Sequence, residues 1–139
     1  AQSLTDGLTG LANRRAFDVK LAQEHARELR HGKSLALLIF DVDRFKEIND
    51  QHGHATGDDV LRGIADLIRR NIPAGSHAGR IGGDEFAVVM RFPLGEAKLA
   101  AERIRAAIQQ LEFANACSLR CTVSIGVAGE PESGADLRA

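Results

Sequence analysis

The sequence predicts an α+β fold built on one antiparallel sheet, on three observations. Strand-length apolar stretches alternate with longer stretches of helical spacing, turn residues separate them, and the two central strands lie close enough to form a hairpin. The order is α-β-α-β-β-α-β. It contains a βαββαβ unit, which closes into an antiparallel sheet with helices on one face, a ferredoxin-like architecture with an extra helix in front. At 139 residues the chain has the size of one domain, and it contains no internal repeat or low-complexity segment.

The first helix is predicted from Asn13 to about Arg30, where Phe17, Leu21 and Leu29 recur at multiples of four and His31-Gly32 ends the pattern. "SLALLIFDVD" (34–43) is apolar without alternation, as in a strand covered on both faces, and it ends in acids. After Gly57-Asp58, the spacing of Val60, Leu61, Ile64, Leu67 and Ile68 predicts a helix closed before Pro73, with Asp58 or Thr56 as its cap. "HAGRI" and "FAVVM" are β-prone pieces joined by "GGDE", a hairpin. "GEAKLAAERIRAAIQQLEF" (95–113) reads as a helix with Leu99 or Ala100, Ile104, Ile108 and Leu111 inward. "LRCTVSIGVA" (119–128) alternates as a strand.

Composition excludes several classes. Apolar residues make up 44% and charged residues 27%, ordinary for a globular domain. With 18 basic and 19 acidic side chains the formal charge is -1, which gives no reason to expect nucleic-acid binding. Cys117 and Cys121 are too few for a disulfide framework, and no CxxC pair accompanies them. The longest apolar run, "LALLIF" (35–40), is far short of a membrane span, and no direct membrane contact is expected of this domain.

The ordering of elements concentrates the chemistry. Asp41 and Asp43 close the first strand, Asp84 and Glu85 sit in the hairpin turn, and the two places are neighbours in such a sheet. Carboxylates brought together there repel unless a cation neutralises them. Magnesium prefers oxygen ligands, keeps several waters and takes one or two carboxylates plus substrate phosphates, which suits a site shared with a nucleotide. On pattern alone, Asp43 and Glu85 read equally well as solvated acids. Gly82 and Gly83 expose backbone and let a bulky ligand approach, or simply form a glycine-rich turn.

Other chemistries fail on their residues. "GKS" (32–34) lacks the earlier glycine of a phosphate-binding loop, since Arg27 stands there, and it precedes its strand. "DVDRFKEINDQH" (41–52) opens like a calcium loop, but Phe45, Lys46 and His52 occupy positions that such a loop needs for a ligand, the turn glycine and the final glutamate. His52 and His54 have no third ligand at metal spacing, and helix-entry roles suit them better. Arg14 and Arg15 read most simply as a solvated helix start.

Four segments carry a family resemblance: "DGLTGLANRRAF" (6–17), "FDVDRFKEINDQHGHATGDDVL" (40–61), "RIGGDEFAVV" (80–89) and "TVSIGVA" (122–128) resemble the successive signatures of GGDEF domains, the diguanylate cyclases. Together they span nearly the whole chain. The resemblance implies a palm-like fold related to nucleotidyl cyclase catalytic domains. It implies condensation of two GTP into cyclic di-GMP, a bacterial second messenger, with release of two pyrophosphates, by a homodimer of half-sites in the cytoplasm. A GTP-binding regulatory module without turnover is the alternative.

By resemblance, Asp41, the Val42 carbonyl and Asp84 are expected to hold Mg2+ or Mn2+. Asp84 is also expected as the base for the 3′-hydroxyl, and Glu85 as a further catalytic acid. Asn49 and Asp58 match guanine-recognising positions, a carboxylate accepting from N1 and N2 and an amide addressing the remaining edge. Lys46 and the backbone amides of Arg44 and Phe45 match a phosphate-contacting turn.

Two departures from the family pattern stand out. The window in which many members carry an RxxD product-inhibition motif reads "PAGS" (73–76), so no primary inhibitory site is expected. Family members continue past "TVSIGVA" into a last helix with a phosphate-contacting lysine and arginine, whereas this chain stops at "GADLRA". Residues 1–139 are therefore expected to form a single domain lacking that helix, with poor turnover, and an N-terminal regulatory domain is expected to precede it in the parent protein.

Overall fold

The computed structural model describes residues 3–32 and 34–129. Its elements are α1 (Arg14–His31), β1 (Ala36–Val42), α2 (Phe45–His52), α3 (His54–Asn71), β2 (His77–Gly82), β3 (Glu85–Met90), α4 (Leu94–Gln109) and β4 (Val123–Gly129). The four strands form one sheet in the order β2-β3-β1-β4, and every neighbouring pair is antiparallel. This is the expected βαββαβ arrangement, with β1 and β3 at its centre.

The sheet has two differently covered faces. On one, Leu38, Phe40 and Val42 of β1 and Phe86 and Val88 of β3 are buried with Val60, Leu61, Ile64 and Ile68 of α3 and Ile104 and Ile108 of α4. The opposite face carries a smaller cluster, in which Phe17 and Leu21 of α1 meet Ala87 and Val89 with Leu37 and Ile39. The extra helix thus closes the back of the sheet, and an almost unbroken apolar β1 follows because both its faces are covered.

Local chemistry explains the helix ends. The Asn13 side chain caps α1, its Oδ1 accepting from the Ala16 amide at 3.0 Å, and Gly32 ends the helix in the left-handed region (φ 66°) while donating to the Glu28 carbonyl at 2.7 Å. Leu29, assigned to the buried face from its spacing, is 57% exposed; the later turns of α1 meet the sheet instead through Glu24, which accepts from Arg91. Of the two inward candidates left open in the last helix, Ala100 is buried and Leu99 is 70% exposed.

Several elements differ from the expectation, including α4, which ends at Gln109 and not at 113. Helix α3 starts at His54, earlier than expected, and its N-cap is Gly53 with no capping side chain; Thr56 and Asp58 lie inside the helix. Strand β4 begins at Val123, since Leu119 and Cys121 pack in the loop before it. Helix α2 was not foreseen at all: eight residues with a single buried apolar side chain, Ile48, carry too short a pattern to be read. The expectation of a missing last helix concerns chain at and beyond "GADLRA", outside the described residues.

Gly79 sets how closely α1 approaches the sheet. A Cβ there would lie 2.8 Å from Phe17 Cβ and 3.0 Å from its ring, and Phe17 is 2% exposed with nowhere to retreat. Gly79→Ala is expected to lower stability by about 1–3 kcal/mol, read as a lower denaturant midpoint at unchanged slope. Gly126→Ala on β4, whose new Cβ would meet nothing within 4 Å, is expected to stay within about 0.5 kcal/mol of the parent.

Candidate functional site

The register of the two central strands builds the site. Asp41 pairs with Glu85 across β1 and β3, and the Val42 amide donates to the Asp84 carbonyl at 3.0 Å, carrying the ladder into the hairpin turn. The link foreseen as four residues is a two-residue turn, Gly83-Asp84, because Gly82 and Glu85 still pair. A bulge at Ile81, between the paired Arg80 and Gly82, bends β2 just before the turn. The acids of the strand end and of the hairpin are therefore brought side by side by backbone pairing alone.

Arg80 anchors this turn to the chain's first loop. Its guanidinium donates to the Gly83 carbonyl at 2.7 Å and to both Asp6 oxygens at 3.2 and 3.3 Å. Asp6 in turn accepts from the Thr9 amide at 2.9 Å and hydroxyl at 2.8 Å. Burial alone would raise the Asp6 carboxyl, but the hydrogen bonds from Thr9 and the Arg80 charge outweigh it and hold the group below its usual range. "DGLTGL" and "RIGGDE" are thus two halves of one clamp.

Beside the turn lies an open groove of about 390 Å³, lined by Phe45, Lys46, Asn49, His54, Asp58, Leu61, Arg80, Gly83 and Asp84. Six of these were singled out from the sequence, and they arrive from α2, α3 and the hairpin. Asn49 is on the last turn of α2 and Asp58 on the early turns of α3, so the short connection at Gly53 sets the two facing one groove. Arg44 takes a left-handed conformation (φ 54°), the sole non-glycine residue to do so among those described, and no side chain caps the α2 N-terminus that follows. Such a conformation costs about 1–2 kcal/mol, and residues held there cluster at functional sites.

Not every acid joins the site. Asp43 turns away to β4, where its carboxylate accepts from Thr122 Oγ1 at 2.7 Å and Ser124 Oγ at 2.6 Å, and its amide donates to the Thr122 carbonyl at 2.9 Å. It ties the sheet edge together and lines a separate groove with Arg44 and Glu47. Sequence reasoning missed Arg80, whose only signal was its place at the head of "RIGGDEFAVV"; His54, read as a helix entry, does begin α3 and also lines the groove.

The donors at the strand end suit a hard cation. Among the described residues no side chain hydrogen-bonds or ion-pairs with the carboxylates of Asp41, Asp84 or Glu85, and no group of three His, Cys, Asp or Glu side chains could hold a metal unaided. Two carboxylates and a carbonyl are an oxygen donor set of the kind a hard divalent cation takes, and are too few for an all-protein cage.

Residues 3–139 match the family described as "Diguanylate cyclase, GGDEF domain". Diguanylate cyclase DgcS of Shewanella oneidensis is 36% identical over 129 residues, which are 93% of this chain and 44% of that protein. Diguanylate cyclase DosC of Escherichia coli strain K12 is 40% identical over 133 residues, 91% of this chain and 29% of that protein. The chain thus spans less than half the length of these relatives. Among solved structures, the GGDEF domain of DgcB from Caulobacter crescentus in complex with c-di-GMP has a TM-score of 0.87 at 36% identity, over 96% of this chain and 81% of that one. Diguanylate cyclase SiaD in complex with its activator SiaC from Pseudomonas aeruginosa has a TM-score of 0.87 at 38% identity, over 92% and 50%.

The Asp6–Arg80 clamp has a pH signature. A carboxyl held low in the folded state stabilises above its ordinary value and loses that contribution as pH falls through its folded value. Asp6→Asn is expected to be less stable by about 1–3 kcal/mol at neutral pH. The gap from the parent is expected to close as pH drops below the ordinary 3.8, measured by denaturant midpoints across the acid range.

Proposed function

The chain belongs to the GGDEF family, and from that premise we propose that it is a diguanylate cyclase domain condensing two GTP into cyclic di-GMP. The observation that carries the reading is the groove, where Asn49, Asp58, Lys46 and Asp84 converge beside the Asp41 strand end. One GTP occupies each domain. Two copies face one another, and each 3′-oxygen bonds to the other nucleotide's α-phosphorus as the bond from that phosphorus to the bridging oxygen breaks, releasing pyrophosphate.

The residues divide the work by their chemistry. Asp58 accepts from the N1 and N2 donors of guanine and the Asn49 amide addresses the remaining edge, a pairing that adenine would leave unsatisfied. Lys46 and the backbone amides around Arg44 and Phe45, at the uncapped start of α2, receive phosphate oxygens. Gly82 and Gly83 keep side chains out of the nucleotide's way; a Cβ on Gly82 would collide with the Glu85 carboxylate. Asp41, Asp84 and the Val42 carbonyl would hold Mg2+ or Mn2+, which supplies charge neutralisation on the phosphates and a lowered pKa for the attacking hydroxyl. Asp84 takes the hydroxyl's proton, and Glu85, paired with Asp41, keeps the strand end anionic.

No helix among the described residues is long and apolar enough to cross a membrane. A cytoplasmic setting, where GTP is made and used, fits the proposed reaction. The "PAGS" window forms the turn before β2, with the Ser76 amide donating to the Pro73 carbonyl at 3.1 Å, and it offers no arginine or aspartate to an inhibitory product.

The purified chain incubated with GTP and Mg2+ or Mn2+ is expected to form cyclic di-GMP, at the low turnover expected of residues 1–139, identified by chromatography and mass. Asp84→Asn should lower product formation about 10²–10⁴-fold while nucleotide binding persists. GTP bound without any cyclic product under either metal, in a chain shown to dimerise, would overturn the reading.

A further inference from the structure

Gly57 stands where the helix has no conformational need for a glycine. It lies in the early turns of α3, buried, and its φ is outside the left-handed region. Glycine is among the poorest residues for a helix interior, so a packing reason is required. That reason is Asn49: a Cβ on Gly57 would collide with Asn49 Oδ1, lie 3.0 Å from its Cγ, and sit 3.3 Å from Phe45 Cζ. The amide of Asn49 occupies the space that any other residue at position 57 would fill.

The rest of Asn49 is held independently. Its carbonyl accepts from the Gly53 amide at 2.8 Å, which fixes the end of α2, while its side-chain amide has no hydrogen-bond partner among the described residues. The side chain is therefore seated by shape, with its polar atoms left for whatever enters the groove. Asp58 follows Gly57 directly, so the same turn of backbone that receives the amide also carries the neighbouring carboxylate.

We infer that Gly57 is a specificity-determining positioning residue, whose missing side chain seats the Asn49 amide next to Asp58 so that the two read one purine together. The inference rests on the proposed guanine reading of Asn49 and Asp58. Adding a methyl at position 57 forces the amide off its seat, and the groove loses the contact that separates GTP from other purine nucleotides.

A double-mutant cycle of Gly57→Ala and Asn49→Ala tests it, with Kd for GTP and ATP measured by calorimetry and Tm recorded for each variant. Gly57→Ala is expected to weaken GTP at least about tenfold and to shrink the GTP-over-ATP preference as Asn49→Ala does. In the Asn49→Ala background the same change should have no further effect on GTP and should raise Tm, since the collision is gone and alanine favours the helix. Gly63→Ala, on the same helix but with its new Cβ no nearer than 3.4 Å to any side chain, should leave both affinities unchanged. If Gly57→Ala costs as much affinity without Asn49 as with it, or leaves GTP binding intact while Asn49→Ala abolishes it, the inference fails and the guanine reading stands. If Asn49→Ala itself leaves affinity and preference untouched, the guanine reading falls and the inference with it.

Discussion

The pairing of β1 with β3 is the constraint on which the site depends. It places Asp41 opposite Glu85 and ties the Val42 amide to the carbonyl of Asp84, so that the acid-bearing end of one strand and the turn of the next hairpin become one surface. Acids drawn together near a protein surface repel one another, and hydrophobic burial elsewhere in the two strands holds the pairing in place. Phe40, Phe86, Leu38 and Val88, all fully buried in the same two strands, supply that restraint. A one-residue slip of this register would turn the apolar set outward, so the core and the site are specified by the same alternation.

The groove is added to this centre by elements of low individual stability. Helix α2 has eight residues and one buried side chain, and it begins at a strained Arg44. Its position comes from neighbours: Phe45 and Asn49 pack toward Gly57 of α3, and Asp43 just before it is fastened to β4 through Thr122 and Ser124. On the other side, Asp6 and Arg80 fix the hairpin turn from the first loop. The groove-lining residues are thus carried on short segments, held by Gly57 of the next helix and by clamps 74 to 81 residues away in sequence.

That distribution explains what the sequence made legible. The long α3 and α4 and the apolar β1 and β3 declare themselves by periodicity, and their order alone leads to the sheet topology. Helix α2 does not, because eight residues span little more than two turns, and the end of α1 misleads because Leu29 keeps the right spacing on an exposed face. Asp41, Asp84, Asn49 and Asp58 could be named because they sit in recognisable motif segments. Arg80 could not be assigned its clamp, since its partner Asp6 is 74 residues away and only the fold brings them together. Gly57 was invisible for the same reason: its role lies in the space it leaves.

The central claim is that Asp41 and Asp84 form one cation site across the β1–β3 pair. Mn2+ bound to the GTP-saturated chain can be followed by water-proton relaxation in the parent, Asp41→Asn, Asp84→Asn and the double variant. The account predicts that each single change weakens Mn2+ and that the double change adds little beyond either, because both act on one ion. Undiminished Mn2+ binding in either single variant, or fully additive losses, would contradict it.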